Sequence, residues 1–203
     1  MMAPIRKASF ARPAWRSGVV ARLRRRAAIP PVLAAMVPDD GPLLGAVPLV
    51  EDDSRWAAAT ANYLTVVGHG GVELRRGWHE VERGRWDAQA ATFTLTWTDA
   101  TRRPLVLTVP EAVSRGEKAV AVDVAPFARA LRQGVESALV HAVTGQLPAG
   151  RRVTVSVRRD SDGRLYTASD LSTDDAAALD EADGAALEEL IRRARDGVGL
   201  PTG

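Results

Sequence analysis

The sequence contains no cysteine and has few aromatic residues and histidines. Without cysteine, the chain has no disulfide framework, thiolate metal cluster or cysteine nucleophile, and the cytoplasm is the expected compartment. Aromatic residues make up only 5% of the chain, which argues against a sheet that stacks exposed rings on RNA bases. The three histidines, His69, His79 and His141, lack the spacing of a metal site. We therefore expect no metal centre.

The sequence also lacks a long apolar run. Its N-terminal region, for example SGVVARLRRRAAIPPVLAAM (17–36), is repeatedly interrupted by arginine and proline. A secretory signal needs about 7–15 consecutive apolar residues, and a membrane-spanning helix needs about 18 or more. We therefore expect a cytoplasmic protein with no integral membrane segment, and peripheral attachment to the inner membrane surface stays open.

Acidic residues are absent from the first 38 positions. This stretch carries eight basic side chains, whereas residues 39–203 carry 19 basic and 25 acidic ones, a net charge of −6. After the last arginine of this basic stretch come Pro30, Pro31, Pro38 and Pro42, together with an Asp-Asp-Gly turn at 39–41. Residues 1–42 are therefore predicted to form a flexible basic arm and a proline-rich linker.

From residue 43 the pattern becomes that of strands. TFTLTWT (92–98) alternates apolar and polar residues, and PLVLTV (104–109) repeats its spacing with Leu105, Leu107 and Val109, as antiparallel strands with one buried face do. The glycines of GHGG (68–71) and the polar residues at 99–103 supply turns between strands. These features predict an antiparallel meander.

The period changes at about residue 123. Apolar residues then recur at helical spacing from Val124 to Ala142, and Gly145 follows, which predicts one amphipathic helix of about 20 residues. RVTVSVRRDSDGRLYTAS (152–169) predicts a hairpin with Asp162 and Gly163 in a type I′ turn. An acidic segment and a further amphipathic helix end the sequence.

Together these patterns predict an α+β fold. An antiparallel β-meander forms a barrel or sandwich capped by one amphipathic helix over residues 43–145, and a hairpin with an acidic C-terminal helix occupies residues 146–203. The core is expected to contain the residues that face inward from the strands, which repeat every two positions, and from the helix, which repeat about every 3.6 positions. These are Tyr63 or Leu64, Trp78, Phe93, Leu95, Trp97, Leu105, Leu107, Phe127, Leu131, Val135 and Leu139.

The order of these elements carries a resemblance. WAAATANYLTVVGHGGVELRRGWHEVERGRWDAQAATFTLTW (56–97), APFARALRQGVESALVH (125–141) and RRVTVSVRRD (151–160) are similar to uncharacterised actinobacterial proteins with a bacterial pleckstrin-homology-like (PH-like) domain. The resemblance covers roughly residues 43–168. It implies a PH-like barrel, and it implies no activity, cofactor or site residue.

Two short motifs suggest chemistry at first sight. GHGGVE (68–73) has the first two glycines of a dinucleotide loop, but Glu73 stands at the third position and a strand follows instead of a helix. His79 and Glu80 are expected on a strand, where neighbouring side chains point to opposite faces. The first motif is therefore predicted to be a hairpin turn, and no catalytic residues are expected.

Arginines provide the candidate binding residues. The candidates in the arm are Arg16, Arg22, Arg24, Arg25 and Arg26. They would bind polyanions such as nucleic acid or anionic lipid; the alternative is that the arm is a solvated tail. A weaker candidate is a phosphate-facing patch on the barrel, formed by Arg75, Arg76, Arg102 and Arg103. The alternative is that these arginines are solvated surface charges.

No cofactor is expected from these patterns, and the chain is expected not to be an enzyme. The first hypothesis is a binding or scaffold module that acts through contacts with a protein partner. The alternative is peripheral association with an anionic membrane or nucleic acid through the arginine-rich arm.

Overall fold

The glycines of GHGG form a hairpin turn within the first sheet, as the sequence predicts. The computed structural model describes residues 26–200. The first sheet has four strands in the order β1-β2-β3-β4. The hairpin joins β3 to β4, with Gly68 opposite Gly71 and Gly71 at a φ of 113°, a conformation that favours glycine. The strands are β1 (Gly45–Pro48), β2 (Arg55–Ala59), β3 (Tyr63–Gly68) and β4 (Gly71–Gly77).

The second sheet contains the alternating segments. Its order is β5-β6-β7, and Phe93, Leu95 and Trp97 on β6 are buried while the threonines between them are half-buried. A separate hairpin of β8 and β9 follows. The strands are β5 (Val81–Asp87), β6 (Thr92–Trp97), β7 (Leu105–Thr108), β8 (Ala112–Arg115) and β9 (Lys118–Ala121).

His79 and Glu80 do not lie on a strand, so that expectation is wrong. They belong to a 3₁₀ turn, Trp78–Glu80, that joins the two sheets. The indole of Trp78 is buried and its Nε1 donates to the backbone oxygen of Thr60 at 2.9 Å. The Glu80 carboxylate accepts from the Gly77 amide at 3.2 Å. Burial of the indole and this local hydrogen bond stabilise the turn.

One amphipathic helix packs on both sheets. This helix is α2 (Ala125–Ala138), which buries Phe127 and Leu131. A shorter helix, α1 (Pro31–Ala34), precedes the first sheet. A Cβ placed at Gly134 would lie 2.5 Å from the Trp78 ring, so helix and indole are in close contact. The predicted core is confirmed for these buried residues: Leu64, Trp78, Phe93, Leu95, Trp97, Leu107, Phe127 and Leu131.

The predicted helix end is wrong. α2 stops at Ala138, and β10 (Leu139–Gln146) begins at the next residue, so Leu139 is 43% exposed and outside the core. Apolar residues at 135, 139 and 142 match a helical period, but Val143 lies opposite Val155 of the valine-rich strand β11 (Arg152–Arg159). Cross-strand pairing of β-branched residues overrides the helical spacing here.

The C-terminal region has its own sheet and core. The strands β10, β11 (Arg152–Arg159) and β12 (Leu165–Ser169) pair in that order, and two helices follow, α3 (Thr173–Ala177) and α4 (Glu181–Asp196). The predicted hairpin and C-terminal helix are thus present. The core between the sheet and α4 contains these buried residues: Leu147, Val153, Val155, Val157, Leu171, Leu190 and Ala194.

The predicted type I′ turn in the β11–β12 hairpin is wrong. Gly163 has a φ of 82°, but Asp162 is not among the residues with positive φ, and type I′ requires both. The Asp160 carboxylate instead accepts from the amides of Asp162 at 2.9 Å and Arg164 at 2.8 Å. This side chain stabilises a longer loop.

Part of the segment assigned to the arm and linker packs on the first sheet. Leu33 of α1 is fully buried against Trp56 and Val67, on the opposite face of the sheet from α2. The Ala27 amide also donates to the backbone oxygen of Ala121 at 2.9 Å. Residues from about 27 onward therefore belong to the folded part of the chain.

The described residues form a mixed α+β structure with antiparallel sheets and few helices. These sheets do not close into a barrel. Instead, the four-stranded sheet and the β5-β6-β7 sheet contribute to one hydrophobic core beneath α2. This open arrangement replaces the closed barrel that the sequence left possible.

Candidate functional site

A groove lies between α2 and strand β5. Among the described strands β5 pairs only with β6, so no described strand pairs with its other edge. A Cβ at Gly84 of β5 would overlap the side chain of Leu131, so strand and helix touch at this point. Beside this contact is a cavity of about 410 Å³, within the size range of ligand sites. Its apolar wall is formed by Trp86, Phe93, Ala128, Leu131 and Val135.

The floor of the groove is a set of packed aromatic rings. The Trp86 and Phe93 ring centroids are 4.4 Å apart, and Phe93 meets Phe127 of α2 edge to face at 5.0 Å. Such ring pairs contribute packing energy beyond their buried area. The apolar floor is thus preformed by the core of the molecule.

Charged side chains surround this apolar floor. Glu82 and Arg83 of β5 lie on one side, and Arg132 and Glu136 of α2 lie on the other. Within the described part of the chain, none of these four side chains forms an ion pair. Both signs of charge are therefore available to a partner.

A second, smaller cavity lies on the other side of Glu82. It has a volume of about 160 Å³ and is bounded by Glu82 of β5, by Thr98 just after β6, and by the β10-β11-β12 sheet. Arg158 on β11 forms part of the wall and is only 3% exposed. Burial lowers the pKa of the Arg158 guanidinium, while the nearby Tyr166 and Glu82 act in the opposite direction.

Next to this cavity, two hydrogen bonds join the C-terminal sheet to the start of β5 and to the 3₁₀ turn before it. Arg158 Nη2 donates to the backbone oxygen of Val81 at 2.5 Å, and the Tyr166 hydroxyl donates to the backbone oxygen of His79 at 2.7 Å. Burial raises the pKa of the Tyr166 hydroxyl, so it remains a donor at neutral pH. The cavity is consequently fixed between two connected sheets.

Most of the arginines predicted for a barrel patch are engaged by acidic side chains of the protein itself. Arg75 stacks on the Tyr63 ring, 3.6 Å from its centroid, and binds Asp40 at 2.7 Å; the hydrogen bond to this carboxylate raises the pKa of Arg75. Arg76 and Arg102 both face Glu80, at 3.9 and 2.9 Å. Arg103 is exposed, and its backbone oxygen accepts from the Trp97 indole at 2.9 Å. Three of the four are thus already paired with carboxylates.

Most of the arm candidates lie outside the described residues: Arg16, Arg22, Arg24 and Arg25. Arg26 is described, and its side chain forms an ion pair with Asp123, just before α2. Polyanion binding by this group stays a prediction.

The histidines do not assemble into a site in the described part of the chain. His69 lies in the exposed turn, His79 stacks edge to face on Tyr166 at 5.9 Å, and His141 lies beside Gly197 at the end of α4. Residues 26–200 contain no group of three or more acidic or histidine side chains arranged for a metal ion. Within the same range, no helix has both the length and the apolar character needed to span a bilayer.

In comparisons with known proteins, no family model, curated protein or solved structure matches this chain. The proposals below therefore rest on the sequence and on the geometry of the two cavities.

Sequence reasoning did not find either cavity. Arg158 lies in the run VRRD, where nothing distinguishes it from its neighbour Arg159. The alternation of Val153, Val155 and Val157 does place Arg158 on the face opposite the valine core. It does not indicate that β5 covers that face.

Proposed function

We propose that this chain is a non-enzymatic binding module that acts through protein contacts, with the groove between β5 and α2 as its contact site. The observation that carries the proposal is an apolar cavity of about 410 Å³ directly beside the unpaired edge of β5. An open strand edge offers backbone donors and acceptors, and an adjacent apolar pocket selects side chains. The non-enzymatic part rests on the sequence, which offers no nucleophile–base motif.

The partner that fits this site is an extended peptide segment. Added as a strand along β5, it would place every second side chain on the same face, about 6.6–6.8 Å apart. Apolar residues at such alternate positions would contact Trp86 and Val135 in the groove. Charged residues between or beside them would meet the unpaired Arg83 and Glu136, which favours a segment that carries both signs of charge.

We also propose that the first two sheets and α2 have a PH-like arrangement and that the protein acts in the cytoplasm. The PH-like proposal is supported by the order of a four-stranded sheet, a three-stranded sheet and one helix that packs on both. The cytoplasmic proposal is supported by the absence of cysteine from the sequence.

The test uses peptides selected from a random library displayed on phage, with the full-length protein as bait. Their affinities are then compared for Val135→Glu, which places a carboxylate in the groove, and Gln133→Glu, which places one on the exposed side of the same helix. Because an unpaired charge in an apolar contact costs more than about 1.4 kcal/mol, Val135→Glu should weaken binding by at least about tenfold. Gln133→Glu should bind like the parent.

A second matched pair covers the case in which Val135→Glu unfolds. Arg132→Glu reverses a charge beside the groove, and Arg129→Glu makes the same change on an exposed residue outside it. Only Arg132→Glu should alter peptide affinity and its dependence on salt. Equal affinities for all four variants would contradict the groove as the contact site.

The alternative function is association with anionic lipid or nucleic acid through the arm. Its support is charge: eight basic residues and no acid in the first 38 positions, followed by a remainder with a net charge of −6. Such binding is mainly electrostatic and weakens as salt rises above about 0.15 M. The arginines on the sheets contribute less in this proposal, since three of them are paired with acids.

Retention on heparin or anionic liposomes tests this alternative. Residues 1–25 are deleted, and the cut spares Leu33, whose burial on the first sheet makes a longer deletion destabilising. A full-length protein with Arg16, Arg22, Arg24 and Arg25 changed to glutamine serves as the matched control. Both variants should lose retention, and equal retention of all three proteins would reject the arm as the binding element.

A further inference from the structure

The smaller cavity is bounded by a buried guanidinium, that of Arg158, whose hydrogen-bonding capacity is only partly used. The guanidinium of Arg158 has one hydrogen-bond acceptor in the described structure, the backbone oxygen of Val81, and its Nε is enclosed without an acceptor. Arg158 forms no ion pair with a carboxylate in residues 26–200. An enclosed N–H donor without an acceptor is a cost to stability, although the charge of Glu82 acts to raise the pKa of the guanidinium. An acceptor anion in the cavity would offset this cost.

Two carboxylates near the guanidinium disfavour a multiply charged anion. Glu82 and Asp170 also line the cavity, so the three side chains together carry a net charge of −1. A phosphate dianion would be repelled by these carboxylates, whereas a monoanion meets less repulsion. The planar guanidinium also matches the two oxygens of a carboxylate in a bidentate arrangement.

The size and walls of the cavity restrict the rest of the ligand. Its volume is about 160 Å³, close to that of engineered cavities of about 150 Å³ that hold one benzene molecule. Leu139, Ala142 and Ala168 provide apolar surface, and Ser156 and Ser169 provide hydroxyl groups. This combination fits a short alkyl chain of about the size of butyrate.

We propose that this cavity binds a small aliphatic monocarboxylate, whose oxygens accept hydrogen bonds from Arg158 and whose alkyl chain contacts Leu139 and Ala168. The site lies between β5 and the C-terminal sheet, whereas the peptide groove lies between β5 and α2. It therefore does not depend on the function proposed above.

Titration of the full-length protein with sodium butyrate tests the site by NMR, with sodium chloride and inorganic phosphate at the same ionic strength as references. Butyrate should cause a saturable shift of the Arg158 Nε–Hε resonance and of the Ser156 and Ala168 amides. Chloride and phosphate should cause no saturable shift at these positions. N-acetylalanine, which carries the same carboxylate on a polar peptide end, should bind more weakly than butyrate, and tighter binding would contradict a site for an alkyl chain.

Three variants separate a binding site from a structural arginine. Arg158→Lys retains the charge but loses the planar pair of donors, and affinity should fall about tenfold, since hydrogen bonds to charged groups contribute about 1.5–3 kcal/mol. Ala168→Leu fills the cavity without changing Arg158 and should abolish binding in a folded protein, even if Arg158→Lys fails to fold. Glu82→Gln removes a repelling charge and should increase the affinity. An unshifted Arg158 resonance with butyrate, or unchanged binding by Ala168→Leu, would overturn the proposal.

Discussion

Asp175 shows how single polar residues stabilise the C-terminal region. Its carboxylate accepts from Arg151 at 2.8 Å and from the Ser172 hydroxyl at 2.8 Å, while its amide donates to the same hydroxyl at 3.0 Å. The Arg151 hydrogen bond, followed by the Ser172 hydrogen bond, holds the pKa of Asp175 far below its usual range. The start of α3 is thereby joined to β11 through the residue that precedes this strand.

This pKa shift predicts a pH-dependent contribution to stability. Because the folded-state pKa lies below the unfolded value of about 3.9, Asp175 stabilises the fold above that pH, and the contribution is lost as pH falls toward the folded value. Asp175→Asn should therefore lower the free energy of unfolding at pH 7, and the difference from the parent should shrink below about pH 4. Urea unfolding at pH 7 and pH 3 measures this change.

Asp174→Asn is the matched control, since Asp174 lies in the same turn of α3 and its side chain is exposed and forms no hydrogen bond or ion pair in the described structure. It should destabilise the protein less at pH 7. Equal losses in the two variants would show that the Asp175 contacts contribute nothing specific.

At the scale of elements, α2 covers the core shared by the first two sheets. Phe127 is fully buried and Leu131 is 4% exposed, and Leu131 meets β5 at Gly84, where any larger residue would overlap it. The sequence predicted the burial of Phe127 and Leu131, because both recur at helical spacing after the alternating strands, but not the contact with Gly84. It did not predict where α2 ends, because the apolar residues at the start of β10 fit the helical spacing as well as the alternation of a strand. The pairing of β10 with β11 decides between the two.

Leu131→Asp should abolish cooperative unfolding. Loss of the buried leucine costs about 2–5 kcal/mol and burial of a carboxylate costs several more, against a typical total stability of about 5–15 kcal/mol. Gln133→Asp, on the exposed side of the same helix, should retain a melting transition close to that of the parent. Thermal unfolding followed by circular dichroism distinguishes the two. A parent-like transition in Leu131→Asp would mean that α2 does not close the core.

At the scale of the whole molecule, the sequence predicted the fold class better than the sites. Strand alternation identified β6, β7 and β11, and helical spacing identified α2 and α4, because each pattern follows from burial of one face of one element. The packing of residues 27–37 on the first sheet was missed, since prolines and a basic flank are typical of linkers. Both cavities form between distant elements, β5 with α2 and β5 with β11. No local pattern records such contacts.

The binding proposal depends on the free edge of β5, which hydrogen exchange can measure directly. A selected peptide added to the full-length protein should slow exchange of amides in β5 (Val81–Asp87) and in the facing part of α2, while β1 and β12 exchange as before. This result is expected because a strand added along β5 provides new backbone acceptors for its outward amides. Unchanged exchange in β5, with protection elsewhere in the molecule, would contradict the assignment of the groove as the protein-binding site.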